Sequence, residues 1–261
     1  MSERRPSAEE IAVALDDATR DRRPMERFTA ADPDLSPVLA YRAQAHGVQL
    51  RLAAGESIIG AKLGLTSRAK QRAMRVDEPL YGWLTSSMLF EPGNVVAMER
   101  LIHPRIEPEI GFLTSHELSA PATVPSVLAA TAGVMAALEV IDSRYENFDF
   151  QLPDVIADNA SAAGLVLGPV LRPVTALEDL RLLGCILRHN GAIVDTASGA
   201  AVMGHPAAAI AWLVNRLGAD GRSLPAGSIV LSGGLTNALP IGHGDVVSVE
   251  IDGLGTAEAV A

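Results

Sequence analysis

The sequence predicts an α+β fold in which many short strands form the core and helices lie at its periphery. From Gly55 onward, apolar runs alternate with glycine, proline, asparagine and aspartate, the residues that favour turns. Only two helical segments interrupt these runs, so strands and helices do not alternate regularly. This order argues against a doubly wound parallel sheet and favours a mixed, strand-rich architecture.

Two helices are predicted before the strand-rich part. The tetrapeptide SAEE at residues 7–10 has the S-x-x-E spacing of a capping box and precedes the apolar run IAVAL, which predicts a helix over about residues 7–22. The loop DPDLSP then leads into a second helix over about residues 37–54. We expect residues 1–55 to form a helical region packed on the core, and residues 56–261 to form the main domain.

Short β-rich runs make up most of the main domain, and two further helices are predicted over about residues 125–137 and 205–218. The runs are bounded by turn residues, as strands usually are. They are IIGAKLGL, NVVAM, RIEPEIGFL, EVIDSRY, AGLVLGPV, LLGCILRHN, AIVDTASG, GSIVLSGG and DVVSVEID.

The composition disfavours several classes of function. The chain has 21 basic and 31 acidic residues, a net charge of −10 and only 4% aromatic residues, which is a poor match to a phosphate backbone. Its N-terminus lacks the apolar run of a secretory signal, and VLAATAGVMAAL is shorter than the roughly 20 residues of a membrane span. Cys185, the only cysteine, lies in an apolar run and is expected to be a packed thiol. We therefore expect a cytoplasmic protein that binds neither nucleic acid nor membranes.

Glu107 and Glu109, in IHPRIEPEIGFL, are candidate metal ligands. Side chains two residues apart on a strand point to the same face, so these carboxylates are adjacent and repel each other if desolvated. Glu139, in ALEVIDSRY, is a third carboxylate that can converge with them, and three carboxylates suit a hard cation such as Mg²⁺. The alternative is a solvent-exposed strand face with two ordinary glutamates, and the spacing alone leaves that alternative open.

Lys62 is a further candidate because lysine is rare in an apolar run such as IIGAKLGL unless it is paired or functional. The alternative is an edge lysine whose stem lets the ammonium reach water. Two polar turns follow, one with Asp158, Asn159 and Ser161 and the other at residues 232–238. Each turn either donates hydrogen bonds to a carboxylate or satisfies its own backbone.

Several of these segments together resemble the family of 2-keto-4-pentenoate hydratases and 4-oxalocrotonate decarboxylases, which has a fumarylacetoacetase-like fold. The resembling segments are GAKLGLTSRAK, DEPLYGWL, LIHPRIEPEIGF, ALEVIDSRYENFDFQLPDVIADNAS and LPAGSIVLSGGLTNALPIGHGDVVSVEIDGLG. They span most of the chain from about residue 55. The resemblance implies a mixed β-roll or sandwich with peripheral helices as the catalytic domain. It places Mg²⁺ or Mn²⁺ on Glu107, Glu109 and Glu139, and the motif lysine on Lys62.

The resemblance implies one of two reactions. Decarboxylases of the family remove CO₂ from 2-oxo-3-hexenedioate (4-oxalocrotonate) to give 2-hydroxypenta-2,4-dienoate, whereas hydratases add water to that dienoate. LIHPRIEPEI, SRYENFDFQLPDV and DEPLYGWL are more similar to the decarboxylases, and Leu80 stands where an acidic residue is expected in hydratases. The implied activity is metal-dependent decarboxylation in aromatic meta-cleavage catabolism. The alternatives are the hydratase reaction and, for a non-enzyme, an inactive structural partner in a hydratase–decarboxylase complex.

The resemblance also implies roles for individual residues. Lys62 is expected to orient the substrate or to donate a proton to it. Thr66, Ser67 and Ser161 are expected to hydrogen-bond the carboxylates of the substrate. The expected partners are a small 2-oxo dicarboxylic acid substrate, the hydratase of the same pathway, and further copies of this chain in a homo-oligomer.

Overall fold

The computed structural model describes residues 5–90 and 95–261, and for Ala73 it describes the backbone alone. Its strands are β1 (Ile58–Gly64), β2 (Leu80–Thr85), β3 (Leu89–Phe90), β4 (Arg105–Thr114), β5 (Thr131–Ile141), β6 (Ala162–Leu167), β7 (Gly184–His189), β8 (Ala192–Ser198), β9 (Ile229–Leu231), β10 (Leu239–Pro240), β11 (Val246–Ile251) and β12 (Gly255–Val260). Its α-helices are α1 (Ala8–Asp21), α2 (Phe28–Ala31), α3 (Pro37–Ala53), α4 (Arg68–Met74), α5 (Val124–Ala129), α6 (Leu152–Ala157) and α7 (Pro206–Ala219).

Across the described ranges, the strands form one eight-stranded sheet and one four-stranded sheet. The large sheet has the order β2-β1-β9-β4-β5-β6-β3, with β10 paired to β4, and the small sheet has the order β12-β11-β7-β8. The β1–β9 and β3–β6 pairs are parallel and the other pairs are antiparallel. Strands β11 and β12 contact β5, so the small sheet packs across the centre of the large one. The expected mixed, strand-rich α+β architecture is confirmed.

The N-terminal helices form a separate layer that packs against α6. Ser7 caps α1 through a capping box with Glu10, as predicted, and α3 begins with a proline in its first turn. Ile11 and Leu15 of α1 lie in one apolar cluster with Ile156 of α6. The predicted helices over 7–22 and 37–54 are confirmed as α1 and α3. The division of the chain at residue 55 stays a prediction.

The helix predicted over residues 125–137 is wrong for most of its length. Only α5, at Val124–Ala129, is helical, and the chain then enters the eleven-residue strand β5. The segment TAGVMAAL contains three alanines, a methionine and a leucine, which favour helix locally. In the fold it lies between β4 and β6, and residues 133–140 are fully or almost fully buried. Pairing on both edges and burial on both faces therefore override the local preference.

Most of the other predictions agree with the structure. The helix over 205–218 is confirmed as α7, and every other predicted β-rich run except NVVAM contains at least part of a strand. In NVVAM, Asn94 lies outside the described residues, and Val95 forms only an isolated bridge to Val260. Strands β2, β3, β10 and β12 were not among the predicted runs. Among residues 5–90 and 95–261, no helix is long and apolar enough to cross a membrane.

Candidate metal centre

Strand register brings the three predicted glutamates together at the centre of the large sheet. Glu107 and Glu109 lie on β4, and Glu139 on β5 is directly opposite Glu107 in the antiparallel ladder. Directly opposed residues of such a pair point to the same face, and so do residues two apart on one strand. All three side chains are buried, and one carboxylate oxygen from each lies within 4.8 Å of the others.

Lys62 lies beside this carboxylate triad. It is on β1, which is separated from β4 in the sheet only by the short strand β9. The Nζ atom of Lys62 is 2.9 Å from Glu139 Oε1 and donates a 2.9 Å hydrogen bond to the carbonyl oxygen of Ala160. The residue is 3% exposed, so the alternative of an edge lysine that reaches water is wrong.

Lys70 is a second ammonium at the site, and sequence reasoning missed it. Its Nζ donates a 2.7 Å hydrogen bond to Glu107 Oε2. Ser67 starts the short helix α4 by accepting a hydrogen bond from the Lys70 amide, which places Lys70 in the first turn of that helix. The usable signal was the spacing in KLGLTSRAK, where a serine cap fixes the direction in which the helix leaves β1.

The turn that follows β9 borders the site and approaches the carboxylates with its backbone and not with side chains. The amide of Gly233 donates a 2.6 Å hydrogen bond to Glu109 Oε2. Gly233 has φ +114°, and a Cβ there would lie 2.0 Å from the hydroxyl oxygen of Thr66. At Gly234 a Cβ would lie 2.0 Å from Glu107 Oε2. Glycine is therefore required at 233 by its positive φ and the close approach of Thr66, and at 234 by the close approach of Glu107.

Burial and mutual repulsion perturb the titration of the triad. Burial raises the pKa of Glu139 to about 7, although Lys62 acts in the opposite direction. Burial, and then the carboxylates of Glu139 and Glu107, hold the pKa of Glu109 well above its usual range. Burial lowers the pKa of Lys70, but the attraction of Glu107 outweighs it and the pKa is raised overall. The site thus concentrates negative charge at a cost that a cation would relieve.

The donor set fits a hard divalent cation. Three buried oxygens of the triad, Glu109 Oε1 and both of Glu139, accept no hydrogen bond from any described residue, and only Glu139 Oε1 has the ammonium of Lys62 nearby, at 2.9 Å. Buried acceptors in folded proteins nearly always have a partner. Three carboxylates without histidine or cysteine are the ligands that Mg²⁺ and similar ions prefer. The residues present therefore fit the cation that the resemblance implied.

The ADNAS turn (residues 157–161) fixes the position of the backbone carbonyl that accepts a hydrogen bond from Lys62. Asn159, Ala160 and Ser161 all have positive φ, between 51° and 56°, a conformation that costs energy in residues other than glycine. The Asn159 side chain bridges both backbone groups of Trp83 on β2, with hydrogen bonds of 2.8 and 2.9 Å. These bonds fix the turn against the sheet so that the Ala160 carbonyl faces Lys62.

A buried ion pair between Arg144 and Asp158 also stabilises this turn. Arg144 pairs with the carboxylate of Asp158 and also donates a 2.6 Å hydrogen bond to its backbone oxygen. The hydroxyl of Ser161 donates to Asp158 Oδ2 at 3.2 Å. Burial raises the pKa of Asp158 to about 6, against the opposing effect of Arg144. The polar turn thus satisfies its own groups and also positions an acceptor for Lys62.

A cavity of about 400 Å³ opens beside the triad. Lys62, Lys70 and Glu107 lie at one end, and Glu107 is the only acidic side chain among its described lining residues. Apolar side chains form much of the remaining wall: Leu65, Met74, Leu80, Ile141, Phe148, Phe150 and Val155. The arrangement accommodates a small molecule that is oxygen-rich at one end and hydrocarbon in the middle.

The predicted hydroxyl ligands are distributed unevenly around this cavity. Ser161 lines it. Thr66 is buried under Gly233 and lines a different cavity, and Ser67 caps α4 and lines a small neighbouring cavity that also includes Lys70. The substrate-binding roles of Thr66, Ser67 and Ser161 stay predictions, with Ser161 the best placed.

A buried carboxylate triad, a paired lysine and an adjoining cavity define a protein that holds a hard cation next to a small oxygen-rich ligand. Its family is also defined: the chain belongs to the fumarylacetoacetate (FAA) hydrolase C-terminal family, whose model matches residues 57–260. The family resemblance and the fold class inferred from the sequence are both confirmed.

Similarity to characterised proteins extends over nearly the whole chain. The 4-oxalocrotonate decarboxylase of Pseudomonas sp. (strain CF600) is 41% identical over 250 residues, which cover 95% of this chain and 94% of that protein. The 2-hydroxyhexa-2,4-dienoate hydratase of Comamonas testosteroni is 38% identical over 245 residues, covering 93% and 92%. The structure of 4-oxalocrotonate decarboxylase from Pseudomonas putida G7, complexed with magnesium and adipate, superposes with a TM-score of 0.94 at 37% identity, covering 97% and 96%.

Proposed function

We propose that this chain decarboxylates 2-oxo-3-hexenedioate (4-oxalocrotonate) to 2-hydroxypenta-2,4-dienoate and CO₂, with Mg²⁺ held by Glu107, Glu109 and Glu139. The observation that carries the proposal is the buried triad at one end of a cavity that has no other described acidic side chain. Similarity to 4-oxalocrotonate decarboxylases over 95% of the chain supports it. The enzyme is accordingly a carboxy-lyase.

The proposed reaction needs an electron sink and one proton. Breaking the C5–C6 bond releases CO₂ and leaves an electron pair on C5, which delocalises through the C3–C4 double bond to the C2 oxygen. One proton on that oxygen then gives the 2-hydroxydienoate. When bound, the divalent cation supplies a Lewis acid that polarises the 2-oxo group.

We assign to Lys62 the donation of that proton, or of a hydrogen bond to the C2 oxygen. An ammonium has three N–H donors. The Ala160 carbonyl takes one, and the ion pair with Glu139 occupies a second direction, so one donor is left for the ligand in the cavity that Lys62 lines. A fixed donor at the atom where charge develops contributes roughly 2.7–4 kcal/mol to lowering a barrier. Lys62 is thus assigned a role in the chemical step.

The composition of the cavity wall favours decarboxylation over hydration. Adding water to a dienoate requires a side chain that activates the water. Leu80 occupies the wall position where the family resemblance led us to expect an acid in hydratases, and Glu107 is assigned to the cation. No other described lining residue carries a carboxylate, whereas loss of CO₂ needs none.

The test compares both reactions in one preparation. The purified protein is incubated with Mg²⁺ and either 2-oxo-3-hexenedioate or 2-hydroxypenta-2,4-dienoate, and CO₂ release is measured against loss of the dienoate. We expect CO₂ release that stops in chelator and in Glu107→Gln, but persists in Glu117→Gln, whose side chain is exposed. Water addition without CO₂ release, or turnover in metal-free buffer, would contradict the proposal.

Association with the hydratase of the pathway and with further copies of the chain belongs to the same proposal. The edge strand β8 supports it, because Ile193 and Val194 are 58% and 45% exposed on a strand that pairs on one side only within the described residues. Light scattering of the protein alone and mixed with the hydratase measures both associations. A monomer under both conditions would contradict this part of the proposal.

A further inference from the structure

Among the described residues that line the cavity, Arg105 is the one cation without a carboxylate partner. It lies on β4 two residues before Glu107, so Arg105, Glu107 and Glu109 form a row on one face of the strand. Lys62 and Lys70 both pair with carboxylates of the triad. Arg105 is the first residue of β4 and lies at the opposite end of this row from Glu109.

The guanidinium of Arg105 has no acidic partner among the described residues. Its side chain forms no ion pair or hydrogen bond there, and its guanidinium carbon lies 4.0 Å from the centroid of the Phe148 ring. The nearby carboxylate of Asp142 accepts hydrogen bonds from the amides of Ile102 and His103 instead. A partly buried guanidinium facing a cavity without a counter-ion is ready to bind an anion.

The charge balance of the site indicates which anion this is. Glu107, Glu109 and Glu139 carry three negative charges, and Lys62, Lys70 and a divalent cation together carry four positive charges. The carboxylate next to the 2-oxo group neutralises the remaining positive charge. A second carboxylate on the same ligand therefore needs a cation of its own, and Arg105 is the unpaired one.

The spacing along β4 matches the length of a six-carbon diacid. Two residues of a strand advance by roughly 6.6 Å, which separates the row positions of Arg105 and Glu107. Five carbon–carbon bonds of about 1.5 Å each, in an extended zigzag, span roughly 6 Å. A ligand with its 2-oxo acid end at the triad thus reaches the Arg105 position with its distal carboxylate, while its middle lies along the apolar wall.

Phe148 holds Arg105 in this orientation at a cost in backbone strain. Phe148 and the preceding Asn147 both have positive φ, 57° and 55°. A bulky residue in that conformation is a true outlier, and such strain gathers at functional sites. The strained turn places the ring of Phe148 against the guanidinium of Arg105, and this cation–π contact restricts the conformations of the Arg105 side chain. The positioning of Arg105 thus accounts for the backbone strain in the segment ENFDF (residues 146–150), which neither the carboxylate triad nor Lys62 explains.

We propose that Arg105 binds the distal carboxylate of the ligand and is the residue by which the cavity selects 2-oxo dicarboxylates over 2-oxo monocarboxylates, with Phe148 as its positioning residue. This inference rests on the proposed function and deepens it. Because the distal carboxylate leaves as neutral CO₂, its attraction to Arg105 weakens as the reaction proceeds. The contact therefore lowers KM and does not raise kcat.

The experiment measures binding with two probes that differ only at the distal end. They are 2-oxohexanedioate and 2-oxohexanoate, which share the 2-oxo acid and lack the C3–C4 double bond, so the protein has no conjugated path by which to decarboxylate them. Calorimetry on the Mg²⁺-loaded protein should show at least tenfold tighter binding of the diacid, a difference of about 1.4 kcal/mol. Arg105→Met should abolish that preference by weakening diacid binding and leaving monoacid binding within about threefold.

Matched variants separate this role from a structural one. Arg105→Lys keeps the charge and should retain part of the preference, and Arg188→Met, on β7 of the small sheet, should retain all of it. Phe148→Leu should reduce diacid binding several-fold more than it reduces monoacid binding, because Phe148 also lines the cavity, and Phe148→Tyr, which keeps the aromatic ring, should restore the wild-type preference. In turnover of 2-oxo-3-hexenedioate, Arg105→Met should raise KM at least tenfold while kcat changes less than threefold.

The possible failures are distinguishable. Equal weakening of both probes in Arg105→Met, or an intact preference, would overturn the role of Arg105 and leave the proposed function standing. Wild-type protein that binds both probes equally would do the same. Wild-type protein that binds neither probe in the presence of Mg²⁺ would overturn the inference and the proposed function together.

Discussion

Replacing Gly234 by alanine tests whether the turn after β9 sets the position of Glu107. A Cβ built on Gly234 lies 2.0 Å from Glu107 Oε2 and 2.6 Å from its carboxylate carbon. Ordinary van der Waals contact begins at 3.4 Å, so the carboxylate must retreat by about 1.4 Å. Gly234 is outside the left-handed φ region, so alanine adds no backbone strain there. The substitution therefore acts on the Glu107 carboxylate and on its partner Lys70, whose Nζ lies 2.9 Å from the added Cβ, and leaves the path of the chain unchanged.

The expected effect is large on the metal centre and small on the fold. A displacement of about 1 Å in a reacting group costs roughly 10²-fold in rate, and loss of a supporting partner of a metal ligand costs roughly 10–100-fold in affinity. We therefore expect the Kd for Mg²⁺ to rise 10–100-fold in Gly234→Ala, with kcat/KM at limiting Mg²⁺ falling at least as much. Glu107 is the flexible element that moves, so overpacking should cost the fold no more than about 1–3 kcal/mol.

Calorimetric titration of chelator-treated protein with Mg²⁺ measures this effect directly. Gly184→Ala is the matched control, since a Cβ at Gly184 meets nothing within 4 Å and its φ is not in the left-handed region. The control should bind Mg²⁺ as the wild type does. If Gly234→Ala also bound Mg²⁺ with wild-type affinity, the close approach of this turn to Glu107 would have no functional consequence and the reasoning would be refuted.

Three further outcomes follow from the same geometry. Lys62→Met should lower kcat by roughly 10²–10³-fold at saturating Mg²⁺ without weakening Mg²⁺ binding, because it removes a donor and no ligand; an effect on KM alone in steady-state kinetics would contradict this. In EDTA, the pKa of Glu139, raised by burial from 4.5 to about 7, means that the folded state binds more protons than the unfolded state between those values. The free energy of unfolding, measured with urea, should therefore fall as pH rises from 4.5 to about 7, and Mg²⁺ should make this fall smaller. The same pH dependence with and without Mg²⁺ would contradict this prediction. Burial raises the pKa of Cys185 to about 12, so a thiol reagent at pH 8 should label it only after unfolding, and rapid labelling of native protein would be inconsistent.

Strand periodicity was enough to predict that two of the carboxylates are neighbours. Glu107 and Glu109 share a face because any strand alternates its side chains, and β4 is a regular ten-residue strand. The third carboxylate did not follow from local pattern. Glu139 is the first residue of the predicted run EVIDSRY, just after the helix predicted over 125–137, whereas it lies inside β5, and its register opposite Glu107 is set by pairing over the whole length of two strands. The sequence alone offered Glu139 as a carboxylate that can converge with the other two, and only the family resemblance assigned it as a metal ligand.

Lys70 shows a different limit of sequence reading. The serine cap in KLGLTSRAK predicts where α4 begins, but it does not distinguish Lys70 from the other basic residues of this seven-residue helix. Its function at the site depends on the distance between that helix and β4, which only the folded chain defines. The same applies to Arg105, where period two places the residue on the correct face but does not reveal that its guanidinium lacks an acidic partner among the described residues.

The places where local rules are broken coincide with the site, and this has a physical reason. Buried carboxylates side by side, three consecutive residues with positive φ at the ADNAS turn, and a strained Phe148 each lower the stability of the fold. No local preference selects any of them, so they persist only because the surrounding strands over-determine their positions. Strands β1, β9, β4, β5 and β6 are consecutive in the sheet, and β1, β4, β5 and the turns next to β6 and β9 each supply one part of the site. The pairing of the central strands therefore stabilises the adjacent buried carboxylates and the strained turns of this cation-binding centre.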